Sequence, residues 1–104
     1  MASSEETERA DRHESAVMRL SPPDNVAVAL RPLKAGETVM LDSVELTVRR
    51  SIPVGHKLAA RAIEKGETIV KYSCPIGIAT VAIKPGDYLY PGNVEARYGS
   101  TLER

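Results

Sequence analysis

One pattern recurs in this sequence as ALRPLKAGETV at residues 29–39, AARAIEKGETI at residues 59–69 and ATVAIKPGDYL at residues 79–89. Each copy has an isoleucine or leucine, two variable residues, a glycine and then an acid. Glycine enters left-handed backbone conformations without a Cβ clash, so we predict a turn at each glycine. The acid that follows is placed to accept a hydrogen bond from a backbone amide of the turn. The copies begin 30 and then 20 residues apart, which does not fit a solenoid of equal repeats. The pattern predicts one compact, turn-rich β domain that uses the same corner three times.

The composition narrows the class of protein. The chain has 104 residues, enough for one domain, and its formal net charge is zero. This balance argues against nucleic acid or an anionic membrane as a partner. No run approaches the roughly 20 apolar residues of a membrane span. Residues 1–19 are charged and lack the apolar core of a signal peptide, so we expect a cytoplasmic location.

The chain has no tryptophan and no phenylalanine, so its core must be aliphatic with some help from four tyrosines. Aliphatic cores in domains of this size are thin, and such domains often depend on a partner for stability. The single cysteine, Cys74, has no disulfide partner in the chain and is interpreted as a small residue of a turn.

Breaker residues divide the chain. Residues 1–23 form a charged segment that we predict to be a disordered tail, which ends at the breaker cluster Ser21-Pro22-Pro23-Asp24. Residues 24–95 form the predicted domain, and residues 96–104 are expected to fray.

Short apolar runs between the turns predict strands, and no segment shows a sustained helical period. The run from Asn25 to Leu30 is almost wholly apolar and is expected to be buried on both faces. The run from Val44 to Arg49 alternates apolar and polar residues, with Val44, Leu46 and Val48 expected to face the core. Gly77 interrupts another run and indicates a β-bulge. The predicted strands are residues 25–30, 38–41, 44–49, 58–62, 68–72, 76–83 and 88–89.

Few residues carry obvious chemistry. His56 lies in a Pro/Gly loop and is either a proton-transfer residue, since imidazole titrates near neutral pH, or a solvated surface histidine. Lys57, Arg61 and Lys71 either bind a carboxylate or lie on a solvated face. The chain has no cluster of histidines, cysteines and acids at the spacing of metal ligands, so we predict no metal site in it. Alone, it is not expected to catalyse a dehydration.

Several blocks resemble the SAF-type domain of the altronate and galactarate dehydratase family. The most specific is Ile69-Val70-Lys71-Tyr72 followed by Pro75-Ile76-Gly77-x-Ala79, which occurs together with Gly55-His56-Lys57. The other matching stretches are Asn25 to Leu30, Ala59, Ile63-x-Lys65-Gly66, Ile83, Gly86 and Asn93. The resemblance implies a mainly-β single domain with a β-clip fold. It also implies either the N-terminal part of a long dehydratase or a separate small subunit beside a large one.

The resemblance implies a function that the composition does not. The chain is then a non-autonomous part of a hydro-lyase that eliminates water from a sugar acid, together with a large catalytic subunit. The partner is expected to hold a divalent metal (Fe, Mn or Mg). Within this chain the resemblance implies His56 as the catalytic residue and five substrate contacts: Lys57, Lys71, Tyr72, Tyr90 and Asn93.

The chain departs from the family at one strand. The family carries a His-x-His-x-His-Asn run, and here that stretch reads Tyr88-Leu89-Tyr90-Pro91-Gly92-Asn93. Phenols neither accept protons near neutral pH nor ligate divalent metals as readily as imidazoles do. Two alternatives stay open. One is a small subunit like that of sulfolactate sulfo-lyase, and the other is a non-catalytic module that binds carbohydrate or protein, which the loss of the histidines favours.

Overall fold

The computed structural model describes residues 16–96, and within this range the chain forms eight short strands and no helix. The strands are β1 (Val17–Met18), β2 (Val26–Ala29), β3 (Thr38–Leu41), β4 (Val44–Thr47), β5 (Lys57–Ala59), β6 (Thr68–Lys71), β7 (Cys74–Ala79) and β8 (Val94–Ala96). They pair antiparallel in three small sheets, ordered β1-β2-β5, β3-β4 and β6-β7-β8. The mainly-β fold predicted from the sequence is confirmed. No helix in the described range is long and apolar enough to cross a membrane.

Strands β2 and β5 lie between two clusters of buried aliphatic side chains. Successive side chains of a strand point to opposite faces. Ala27 and Leu58 therefore pack into the first cluster, whereas their neighbours Val26 and Ala59 pack into the second. This arrangement explains why the run beginning at Asn25 is apolar at successive positions. The larger side chains of the two clusters are Val17, Leu33, Val39, Leu41, Leu46, Val48, Ile52 and Leu58 in the first and Val26, Ile63, Ile69, Ile76, Ile83, Leu89 and Val94 in the second.

Each of the three repeated stretches forms the same corner. The glycine adopts a left-handed backbone, with φ of 89° at Gly36, 88° at Gly66 and 86° at Gly86. Its amide donates to the carbonyl of a residue distant in sequence, and the amide of that residue donates back to the carbonyl of the acid after the glycine. The partners that exchange these two bonds are Val48 for the first corner, Ala79 for the second and Ala59 for the third. Every corner is thus tied to a strand or strand end elsewhere in the fold.

The acid of each corner closes the turn with its side chain. The carboxylates of Glu37, Glu67 and Asp87 each accept a hydrogen bond of 2.9 Å from the amide three residues earlier. This is the role that the pattern predicted for the acid, and it is confirmed. Glu37 and Glu67 also pair with the arginine six residues earlier, Arg31 and Arg61.

A fourth corner, which the sequence pattern did not reveal, lies at residues 52–56. Gly55 has a φ of 85°, and its amide donates to the carbonyl of Ala29 at 2.7 Å. The amide of Ala29 donates back to the backbone carbonyl of His56 at 2.9 Å. The four corners pair through backbone bridges, Leu33 with Ile52 and Ile63 with Ile83. The domain therefore consists of two similar halves, each built from one hairpin and two corners.

The described fold extends upstream of the domain boundary expected at residue 24. Ala16 and Val17 are buried, and β1 pairs with β2, so the fold begins upstream of the breaker cluster. Backbone pairing, which the polar composition of this segment does not reveal, recruits it into the sheet. Residues 1–15, the remainder of the expected tail, lie outside the described residues. At the other end, β8 pairs with β7, and most of the segment expected to fray, residues 97–104, also lies outside them.

Most of the predicted strands are present with shifts of a few residues, but residues 88–89 form no strand, and Tyr88 makes only an isolated bridge with Leu58. A tight turn at Asp42 and Ser43 joins β3 to β4, with positive φ at both positions. Leu46 and Val48 are buried, whereas Val44 is exposed because it lies at the tip of the hairpin beside that turn. The bulge indicated by Gly77 is confirmed, since the register between β6 and β7 shifts where Ile69 faces Gly77.

Gly86 lies directly against the backbone of the other half, at Thr47. A Cβ built on Gly86 would lie 2.0 Å from the carbonyl oxygen of Thr47, whereas a Cβ on Gly66 would meet nothing within 4 Å. Both glycines have almost the same φ, so the backbone strain of a substitution is matched.

We predict that Gly86→Ala destabilises the domain much more than Gly66→Ala. The left-handed backbone alone costs an alanine about 1–2 kcal/mol, and Gly86→Ala adds a backbone clash that brings the total to more than about 3 kcal/mol. Chemical denaturation of the two variants measures the difference. Equal losses would contradict the close approach at Thr47.

Candidate functional site

His56 occupies the position of the corner acid but does not perform its structural task. In the other corners the acid binds the amide three residues earlier, and three residues before His56 stands Pro53, which has no amide hydrogen. The turn at Gly55 therefore needs no side-chain acceptor at position 56. The imidazole instead lies outside the corner, with its Nδ1 2.6 Å from the hydroxyl of Tyr88.

Tyr88 and Tyr90 form an aromatic pair beside this histidine. Their rings stack with centroids 5.7 Å apart and an angle of 19° between their planes. The His56 ring lies 5.7 Å from that of Tyr88. Tyr88 also packs against the first aliphatic cluster, and a backbone bridge joins it to Leu58 of β5. The His56–Tyr88 pair is thus supported from the core side.

Asn93 fixes the loop that carries the two tyrosines. Its side chain is buried, its Oδ1 accepts from the amide of Tyr90 at 2.9 Å, and its Nδ2 donates to the carbonyl of Tyr88 at 2.9 Å. A Cβ on Gly92 would come within 2.2 Å of the Tyr90 ring, so a larger residue there would displace that ring. Asn93 was expected to contact substrate, but in this structure both ends of its amide position the tyrosines.

Arg50 covers both tyrosine rings. The central carbon of its guanidinium lies 5.0 Å from the Tyr90 ring centroid and 5.4 Å from that of Tyr88. These distances are within the range of cation–π attraction. Sequence reasoning missed Arg50, because it lies outside the blocks that resemble the family. Only the packing of the corner at residues 52–56 against the Tyr88 loop brings it to this place. We refer to Arg50, His56, Tyr88 and Tyr90 as the aromatic site.

Lys57 and Lys71 form a second, cationic feature. The carbonyl of Lys57 accepts from the amide of Leu89, so its backbone lies directly beside the Tyr88 loop. Burial lowers the pKa of the half-buried Lys57, and the nearby charge of Lys71 lowers it further. Two positive charges that repel each other favour the binding of an anion beside them.

Tyr72 is not part of the aromatic site. It lies in the turn between β6 and β7, its side chain is 70% exposed, and its amide donates to the buried carboxylate of Asp24. Within residues 16–96 no hydrogen bond or ring contact joins the Tyr72 side chain to the aromatic site.

Residues 16–96 contain no group of three or more histidines, cysteines and acids that could hold a metal ion. Cys74 is exposed and free.

Comparison with known proteins identifies the family. The model of the altronate/galactarate dehydratase SAF domain matches residues 15–97, and the chain belongs to that family. The chain is 41% identical over 70 residues to altronate dehydratase of Escherichia coli and 35% identical over 78 residues to altronate dehydratase of Bacillus subtilis. These matches cover 67% and 75% of the chain but only 14% and 16% of the two relatives. It is also 36% identical over 55 residues to (2R)-sulfolactate sulfo-lyase subunit alpha of Chromohalobacter salexigens, covering 53% of the chain and 58% of that subunit.

The corner positions provide a first test of the site. We predict that Glu67→Ala lowers the free energy of unfolding by about 1–2 kcal/mol, because it removes a turn-closing hydrogen bond and an ion pair. His56→Ala, at the equivalent position of the fourth corner, should lower it by about 0.5 kcal/mol, the net worth of one exposed hydrogen bond. Denaturant titration of both variants measures these values. A larger loss for His56→Ala would show that the histidine is a structural residue.

The stabilising effect of Glu67 also depends on pH. The hydrogen bond from Arg61, followed by that from the amide of Glu64, lowers the pKa of the Glu67 carboxyl below its usual 4.5. A lowered folded-state pKa gives a contribution that is complete above the unfolded-state value and is lost as the pH falls through the folded-state value. The stability difference between the wild type and Glu67→Ala should therefore shrink below pH 4.5.

A second test concerns the two lysines. We predict that Lys71→Gln raises the pKa of Lys57 without restoring it to the usual 10.5, because burial is the larger cause of its depression. Titration of the lysine Hε and Cε resonances by NMR measures the change, with Lys34→Gln as an exposed control. A Lys57 pKa that is the same in both variants would contradict the proximity of Lys71.

Proposed function

We propose that this chain is a small subunit, or the SAF unit, of a lyase that eliminates water from a hydroxy-carboxylate such as a sugar acid. Most of the chemistry would then belong to a large partner subunit. Two findings support this proposal. The altronate dehydratases contain the matching region as a small fraction of their length, and the sulfo-lyase relative is by name a subunit. The observation that carries the proposal is the hydrogen-bonded His56–Tyr88 pair, which the corner does not need for its own structure.

His56 would move a proton or hold a hydroxyl group of the substrate. β-Elimination of water removes a proton from the carbon next to the carboxylate and adds a proton to the departing hydroxyl group. Imidazole suits either transfer because its ordinary pKa lies near neutral pH. The Tyr88 hydroxyl, bound to Nδ1, would fix the orientation of the ring and leave Nε2 for the substrate.

The other predicted residues would take supporting roles. Lys57 and Lys71 would attract the anionic substrate, and Tyr90 would contact its hydroxyl groups. Asn93 would position Tyr90 through the loop, while Tyr72 would contact substrate or partner from the neighbouring hairpin. The partner would hold a divalent metal (Fe, Mn or Mg), as the resemblance to the dehydratase family implies.

Two other functions are compatible with parts of the structure. The match to a sulfolactate sulfo-lyase subunit favours a related reaction in which sulfite leaves instead of water. A non-catalytic module that binds carbohydrate or protein is favoured by the two tyrosines at the positions of the family's histidines, because stacked aromatic rings bind sugars without acid–base chemistry.

We predict that co-expression with a large lyase subunit encoded nearby gives a stable complex that dehydrates altronate or galactarate. In that complex His56→Ala should lower kcat about 10²- to 10⁴-fold, the usual effect of removing a general acid or base. Val54→Ala, a change of an exposed side chain in the same turn, is the matched control and should leave kcat unchanged.

The outcomes separate the three functions. Unchanged turnover in His56→Ala would remove the catalytic role from this residue. Release of sulfite from sulfolactate, without dehydration of sugar acids, would assign the chain to the sulfo-lyase reaction. Failure to form any complex, combined with tight binding of sugar acids by the chain alone, would assign it to the binding modules.

A further inference from the structure

Arg50 is distinguished from the other arginines by its partners. The structure describes five arginines, and four of them, Arg19, Arg31, Arg49 and Arg61, pair with a carboxylate. Arg50 pairs instead with the faces of Tyr88 and Tyr90. Within residues 16–96 no carboxylate or carbonyl group lies in hydrogen-bond contact with its guanidinium.

This arrangement leaves the hydrogen-bonding capacity of Arg50 unused. A guanidinium has five N–H donors in a planar fork that matches the two oxygens of a carboxylate. Cation–π attraction to the rings consumes none of these donors. The two tyrosines restrict the conformations of the exposed side chain, so less entropy is lost when a ligand binds than for an unrestrained arginine.

The position of the guanidinium relates it to His56. Tyr88 touches both residues, since its hydroxyl lies 2.6 Å from His56 Nδ1 and its ring centroid lies 5.4 Å from the Arg50 guanidinium carbon. The side chain of Tyr88 thus lies between the Arg50 guanidinium, which can bind a carboxylate, and the His56 imidazole, which can exchange a proton. A hydroxy acid presents the same two features, a terminal carboxylate and hydroxyl-bearing carbons next to it.

We propose that Arg50 is the carboxylate receptor of this site, with the Tyr88–Tyr90 stack as its platform. The carboxylate of the substrate binds the guanidinium through two parallel hydrogen bonds. The hydroxyl groups of the substrate then lie toward His56. The choice of a hydroxy acid as ligand rests on the proposed function. The receptor role rests on the contacts of Arg50 and does not need the reaction.

The experiment compares two neighbouring arginines and two ligands. The isotopically labelled chain, as the wild type and as Arg50→Gln, Arg50→Lys and Arg49→Gln, is titrated by NMR with altronate and with altritol. Altritol is the sugar alcohol that has the hydroxyl groups of altronate without its carboxylate. Arg49→Gln removes the same charge from the adjacent position, where Arg49 lies 3.8 Å from the carboxylate of Asp87.

We expect Arg50→Gln to weaken altronate binding about 10- to 100-fold, the effect of losing charge-assisted hydrogen bonds. Arg50→Lys should restore only part of this loss, because an ammonium has the charge but lacks the fork. Arg49→Gln should change altronate binding less than about threefold, in line with its exposed position. Altritol should bind the wild type weakly and should be insensitive to Arg50→Gln.

Three results would overturn the proposal. The first is that Arg49→Gln and Arg50→Gln weaken altronate binding equally. The second is that Arg50→Gln weakens the binding of altronate and of altritol equally. The third is that the Arg50 Nε–Hε resonance does not change at tens of millimolar altronate. Because Arg50→Lys keeps the positive charge, it remains informative if Arg50→Gln does not fold. The test requires neither partner nor turnover. If altronate binding depends on Arg50 but the complex shows no lyase activity, the carboxylate receptor is supported and the proposed reaction is rejected. If turnover depends on His56 but altronate binding does not depend on Arg50, the reaction is supported and the receptor is rejected.

Discussion

The fold depends on a corner in which a left-handed glycine turns the chain while two backbone hydrogen bonds tie that turn to a segment distant in sequence. The strands alone are too short to hold the domain together, since each has two to six residues. Because the same corner recurs at Gly36, Gly55, Gly66 and Gly86, the tertiary bonds recur with it. Leu33, Ile52, Ile63 and Ile83, each three residues before a corner glycine, are buried there and supply much of both aliphatic clusters.

The one corner that departs from the rule is the corner that carries the candidate site. Departures from local consistency are expected where function requires them. In three corners an acid closes the turn on an amide, and in the fourth Pro53 removes that amide and His56 replaces the acid. The two changes are physically linked, since the histidine is free to bind Tyr88 only because the turn has no donor for it to satisfy.

The site also shows how a thin aliphatic core organises polar chemistry. Buried Asn93 holds the Tyr88 loop through both ends of its amide, and the loop then orients His56 and Arg50. Lys57 stays half-buried beside that loop, where burial and Lys71 disfavour its charge. An anionic group bound beside the two lysines would offset that electrostatic cost.

The sequence alone predicts the mainly-β class, three of the corners, the acid that closes each of them and the bulge near Gly77, because these features depend on residues close together in the chain. It also contained the blocks that place the chain in its family. Three further features are visible only in the folded protein: residues 16–18 join the fold, a fourth corner exists, and Arg50 stacks on Tyr88 and Tyr90. These features arise from contacts between segments far apart in sequence, and no local pattern specifies which segments meet.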